Sequence, residues 1–215
     1  GEPYDDAVVS RRGASQGPVA IRMELADTNA FHFEAGELPS IGDLGDVDVP
    51  DEKSVSEVQR ELETETTRIH DLDALPIFLG GDNSLSVPNV APLLDGGETA
   101  VINFDAHLDC REVPEEPTSG TPFRQLIDRG LEHYVVVGAR HFETSEPYVA
   151  YVHEQGGTIY TAEEVADQGT DVFGPILSEI DSVDSLFVSL DMDVFDASLV
   201  QGVSAPTPGG PPARS

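Results

Sequence analysis

The sequence predicts an α/β protein, a mostly parallel sheet with helices on both faces. Three observations carry this expectation. Four short apolar runs rich in branched residues punctuate the chain, helical patterns lie between them, and cap or stop residues stand at the junctions. Near-continuous apolar runs suit strands buried on both faces, and strands alternating with helices give parallel sheets.

In chain order, the first clear element is "SVSEVQRELETETTRIHD" (54–71). There Val55, Val58, Leu62, Thr66 and Ile69 recur at three- and four-residue steps and draw one buried stripe on a helix. "PIFLGG" (76–81) reads as the first strand and "AVINFD" (100–105) as the second. "PFRQLIDRG" is a helix stopped by Gly130, and "YVVVGA" (134–139) is the third strand. "EPYVAYVHEQGG" is a helix ending at Gly156, while "TAEE" (161–164) has the spacing of a capping box. "SLFVSLD" (185–191) is the fourth strand. The acidic stretch 34–54, with its Gly and Pro, reads as a loop within a single domain spanning 1–215, a length and a 39% hydrophobic content that can bury a full core.

Charge narrows the function. The 41 acidic residues outnumber 11 basic ones, giving a net charge of −30 spread along the chain, with Lys53 the sole lysine. Nucleic acid is excluded as a partner, because neutralising phosphates needs the opposite sign. This composition resembles proteins of salt-loving organisms, where ionic strength screens carboxylate repulsion. Cys110 is the sole cysteine, so no intramolecular disulfide forms, and neither a signal-peptide pattern nor an apolar run of membrane-spanning length is present. The expectation is a cytoplasmic protein with no membrane partner.

Three of the four strands run into unusual polar residues: Asp82-Asn83-Ser84, then Asp105, His107 and Asp109, then Asp191 and Asp193. Side chains alternate along an extended segment, so Asp105, His107 and Asp109 should share one side, as should Asp191 and Asp193. Ligands of open α/β sheets bind at the carboxyl ends of strands, where these residues would pool. Crowded carboxylates repel and protonate unless a multivalent cation compensates them, and an oxygen-rich set with an imidazole suits manganese better than zinc.

These residues resemble the ureohydrolase family of arginases, agmatinases and formimidoylglutamases. "GGDNS", "NFDAHLD" and "SLDMDVFDAS" stand in the order and spacing of its shared motifs, and "RRGASQGPVAIR" (11–22) is similar to its early segment. The resemblance implies a three-layer α/β sandwich, two manganese ions and hydrolysis of a carbon–nitrogen bond at an amidine or guanidine carbon. By motif match Asp105, His107, Asp109, Asp191 and Asp193 fall on metal ligands, with Asn83 at the position where the family has a histidine. One of the two ions is therefore expected to bind weakly. Asp109 and His107 fall on the catalytic machinery, Asp109 as a proton relay, and Asp196 on structural support. Assembly into trimers or hexamers is implied in the same way.

Within the family, "PTSGTPFRQL" (117–126) and "GARHFETSEPYVAYVHEQGG" (138–157) look most like formimidoylglutamases, which implies N-formimidoyl-glutamate as the small-molecule substrate and glutamate and formamide as products. Ser119, Thr121 and Arg124 are the residues available to its carboxylates, with a helix-surface position as the plain alternative for Arg124. For Arg140 the plain alternative is an internal salt bridge. Agmatinase is the second activity, and an inactive remnant the alternative to an enzyme. Against the family pattern the chain looks truncated at both ends, either as a fragment of a longer polypeptide or through a reading frame broken near Pro211.

Overall fold

The computed structural model describes residues 1–49 and 53–212. Along the chain run α1 (Gly17–Ala26), β1 (Phe31–His32), β2 (Gly36–Glu37), α2 (Val55–His70), α3 (Ser86–Leu94), β3 (Thr99–Phe104), α4 (Pro122–Asp128), β4 (His133–Ala139), α5 (Glu146–Glu154), β5 (Thr158–Thr161), α6 (Ala162–Gln168), α7 (Phe173–Glu179) and β6 (Ser185–Leu190). The main sheet has the order β5-β4-β3-β6, with every neighbouring pair parallel. No helix among the described residues is long and apolar enough to cross a membrane.

Alternation along the central strands builds two cores. On one face Val101, Tyr134 and Val136 pack against Val87 and Val90 of α3, Phe123 and Leu126 of α4 and Val152 of α5. On the other, Ala100, Ile102, Val135 and Val137 meet Val172, Ile176 and Ile180 around α7. The helices thus sandwich the sheet from both sides. Phe123 and Leu126 are fully buried, and each contributes about 1.5–3 kcal/mol of apolar transfer that fixes α4 beneath the strand ends.

Local signals hold where they were clearest. Ser54 and Glu57 close a capping box on α2, whose buried residues include Val58, Leu62 and Thr66, and Thr161 and Glu164 close another on α6. The chain leaves α4 and α5 through Gly130 (φ 107°) and Gly156 (φ 81°), a region that favours glycine.

Three expectations need correction. "PIFLGG" forms no strand, because its flanking backbone groups are taken singly by the N-terminal segment: Glu2 N–H donates to Leu79 O (2.9 Å) and Asp82 N–H to Tyr4 O (2.8 Å). Gly81 is required there, since a Cβ would lie 1.8 Å from Tyr4 O. β6 is covered on one side only. Phe187 stacks on Phe78 at 6.4 Å, while Leu186, Val188 and Leu190 on the opposite side are 45%, 56% and 54% exposed. The expected loop 34–54 contains β2, paired antiparallel with β1, and its residues 50–52 lie outside the described residues.

Candidate metal centre

β3 and β6 lie side by side in parallel, so the loops leaving their carboxyl ends are neighbours: Asp191 N–H donates to Phe104 O (2.9 Å). Asp105 and Asp193 flank His107. The imidazole Nδ1 lies 3.3 Å from Asp105 Oδ1 and 3.3 Å from Asp193 Oδ2. One ligand atom from each of these three residues falls within 4.8 Å of the others. Asp105 is held by Asn103 Nδ2 (3.0 Å) and the His107 amide (2.7 Å), Asp193 by the Ala106 amide (3.4 Å), and Asp191 accepts from the Asp193 amide (3.1 Å).

Asp109 reaches the site differently from the alternation argument. The strand ends at Phe104, and Asp109 turns through a left-handed backbone conformation (φ 44°), rare for a residue with a side chain. Asn83 Nδ2 donates to Asp109 Oδ2, and Ser86 Oγ donates to Asn83 Oδ1 at 2.5 Å, so the Asn83 amide is fixed with its nitrogen toward the carboxylate.

Electrostatics marks the cluster. Burial, then the charge of Asp191, pushes Asp105 up to about 7; burial, then Asp193, takes Asp191 to about 7. Burial also raises Asp109 well above the usual carboxylate range. For His107 burial alone would lower the imidazole, but hydrogen bonds and charge from Asp105 and Asp193 outweigh it and raise it to about 11. A proton is standing in for positive charge that the carboxylates demand. The donors, buried oxygens with one imidazole between them, fit a divalent cation of the hard to borderline kind.

The residues assigned to the substrate's far end have other partners. Thr121 is buried, donating to Thr118 O (2.8 Å) and accepting from Gln125 Nε2 (3.1 Å). Ser119 Oγ accepts from Val9 N–H (3.1 Å). Arg124 lies with its Cζ 3.5 Å over the Tyr151 ring and donates Nε–H to Cys110 O (3.2 Å), so its guanidinium braces α4 against α5 rather than standing free. Asp196 is structural support: hydrogen bonds from Ser198 and from the Gly209 amide hold its carboxyl down at about 2.

Two residues escaped the sequence reading, and a third, Arg140, has other partners than expected. Glu143 Oε2 stands 3.8 Å from His107 Nε2, beyond the end of β4 where ligands of such sheets gather. Arg111, two residues past Asp109, is exposed and packs its stem on Gly120, where a Cβ would lie 2.9 Å from Arg111 Cδ. No carboxylate among the described residues pairs with it. Arg140 is 1% exposed and bonds backbone carbonyls, not the internal carboxylate that its plain reading supposed.

An open parallel sheet with aspartates and a histidine converging from the carboxyl ends of adjacent strands defines a class, the α/β proteins built around a carboxylate-rich cation centre. A sequence model of the arginase family matches residues 1–215, and the chain belongs to that family. It is 50% identical over 213 residues to a formimidoylglutamase of Halobacterium salinarum, covering 98% of this chain and 69% of that one. The crystal structure of a formimidoylglutamase from Bacillus subtilis superposes with a TM-score of 0.88 at 33% identity, over 97% of this chain and 68% of that chain. A Trypanosoma cruzi formiminoglutamase solved with Mn2+ gives a TM-score of 0.86 at 28% identity, over 99% and 75%.

Proposed function

We propose that the protein hydrolyses N-formimidoyl-L-glutamate to L-glutamate and formamide with manganese as cofactor. The observation that carries this is the convergence of Asp105, His107 and Asp193 within 4.8 Å, in a chain half identical to a formimidoylglutamase. Asp105, His107, Asp109, Asp191 and Asp193 are the proposed ligands of two ions. Asn83 stands at the histidine position of the family motif, and its amide donates to Asp109, which leaves one ion with a poorer donor set.

Bound manganese supplies Lewis acidity and a lowered pKa for water at neutral pH. The chain's own residues do the rest. Water adds to the formimidoyl carbon, the bond from that carbon to the glutamate nitrogen breaks, and the departing amine needs a proton. Asp109, whose carboxyl accepts from the Asn83 amide and is thereby oriented, is the residue placed to relay that proton. His107 keeps its Nδ1 toward the two aspartates and its Nε2 toward Glu143. Arg111, two residues past Asp109 and exposed, is the guanidinium we assign to a substrate carboxylate through a bidentate fork, the role first expected of Arg124. We further propose a cytoplasmic, homo-oligomeric enzyme adapted to salt; the salt adaptation is supported by the acidic composition and by a relative from Halobacterium salinarum.

The test is kcat/KM for formimidoylglutamate, agmatine and arginine with manganese in molar potassium chloride, beside an Arg111→Ala variant. Formimidoylglutamate should be preferred and the variant should raise KM. Faster turnover of agmatine or arginine overturns the assignment.

A further inference from the structure

Arg140 is the largest fully buried side chain among the described residues, and it lies against the backbone of the segment that carries Asp193. It stands at the end of β4, between the loops that follow β3 and β6. Its amide donates to Ala106 O (2.9 Å), in the loop carrying Asp105 and His107. Its guanidinium Nη1 donates to Gly138 O (2.6 Å), and Nη2 faces the carbonyls of Asp193 (3.3 Å), Val194 and Phe195 (3.5 Å). Nε is buried without a partner, and no carboxylate among the described residues forms an ion pair with this side chain.

A buried guanidinium is costly, and here it is spent on backbone instead of a carboxylate. Its position explains why. The carbonyls it gathers belong to the segment bearing Asp193, whose Oδ1 accepts from the Ala106 amide (3.4 Å). Packing is tight enough to keep that segment in place: at Gly138 (φ 102°) a Cβ would meet Val194 Cγ2 at 2.5 Å, and at Gly210 it would meet Arg140 Nη2 at 2.0 Å. Lysine's single ammonium cannot span Gly138 and residues 193–195, whereas a planar fork does.

We propose that Arg140 is a positioning residue for the cation centre: by tying residues 193–195 to the ends of β3 and β4 it fixes Asp193 against Asp105 and His107. The proposal rests on the metal-centre reading above. Removing a group that orients ligands lowers metal affinity by about 10–100-fold.

The experiment compares wild type, Arg140→Lys and Arg140→Ala in molar potassium chloride. Free manganese is followed by electron paramagnetic resonance, and amide hydrogen exchange is measured on metal-free protein. Arg140→Lys should bind manganese at least about tenfold more weakly and expose the Ala106 amide to faster exchange, while Val135 in the centre of β4 keeps its protection. Millimolar guanidinium should restore part of the affinity lost in Arg140→Ala and leave wild type unchanged. Wild-type affinity together with wild-type Ala106 exchange in Arg140→Lys overturns the proposal. Protection lost across the whole sheet, with no rescue, also overturns it, because Arg140 then serves the fold alone. If wild type itself fails to bind manganese, the metal reading falls and the Ala106 comparison decides whether Arg140 positions the loop.

Discussion

Replacing Arg124 by alanine separates two roles for the same guanidinium. The structure gives it a ring at 3.5 Å and a carbonyl at 3.2 Å, with Tyr151 held in turn by Asp128 (3.0 Å), so α4 and α5 are joined through one cation. A cation–π contact is worth about 0.5–2 kcal/mol, and a hydrogen bond from a charged donor about 1.5–3. Arg124 is only half-buried, so the low end of each applies, and the loss is about 2 kcal/mol. For a chain of this size each kcal/mol lowers Tm by about 2–4 °C, which puts the expected drop at about 4–8 °C. Thermal melts in molar potassium chloride measure it, and Michaelis kinetics with formimidoylglutamate on the same preparations should return an unchanged KM. An unchanged Tm with a large rise in KM would refute the reasoning and return Arg124 to the substrate.

Three further predictions follow from the cluster and the charge. Free manganese at a hundredfold excess over its Kd should stabilise the native state by about 2.7 kcal/mol, and equal melting temperatures in chelator and in manganese would contradict a cation centre. In chelator, stability should fall as pH rises. The folded state holds protons that the unfolded chain has released, on Asp105 and Asp191 between about 4 and about 7 and on His107 between about 6.5 and about 11, and stability increasing from pH 5 to 8 would contradict those assignments. Asn83→His should tighten the weaker ion in a manganese titration, because an imidazole replaces an amide committed to Asp109 and Ser86; an unchanged or lower affinity would remove position 83 from the ligand set.

Much of this was legible in the sequence, for identifiable reasons. β3 and β4 are buried on both faces, and their near-continuous apolar runs say so. The D-x-H-x-D and D-x-D spacings are visible because strand ends are short and local. What the sequence concealed depends on partners far along the chain. "PIFLGG" has a strand's composition, but Glu2 and Tyr4 take its hydrogen bonds. β6 looks like a central strand, yet only Phe187 and its neighbours on that side find cover. Arg124 and Arg140 look alike in a string of letters. One lies on Tyr151 and the other under Asp193, and neither Tyr151 nor the carbonyls of 193–195 announce themselves as partners for a cation.

The uncovered side of β6 has a colloidal consequence. Leu186, Val188 and Leu190 form an uncharged strip on a protein of net charge −30, so in dilute buffer mutual repulsion keeps two such strips apart. Added salt shortens the Debye length from about 30 Å at 0.01 M to about 3 Å at 1 M, relaxing the strain inside each molecule and dissolving the repulsion between molecules together. Fold stability and clustering therefore climb on the same axis. Scattered-light intensity plotted beside melting temperature against potassium chloride should rise with it, leaving concentrated solutions a window closed by unfolding at one end and by association at the other.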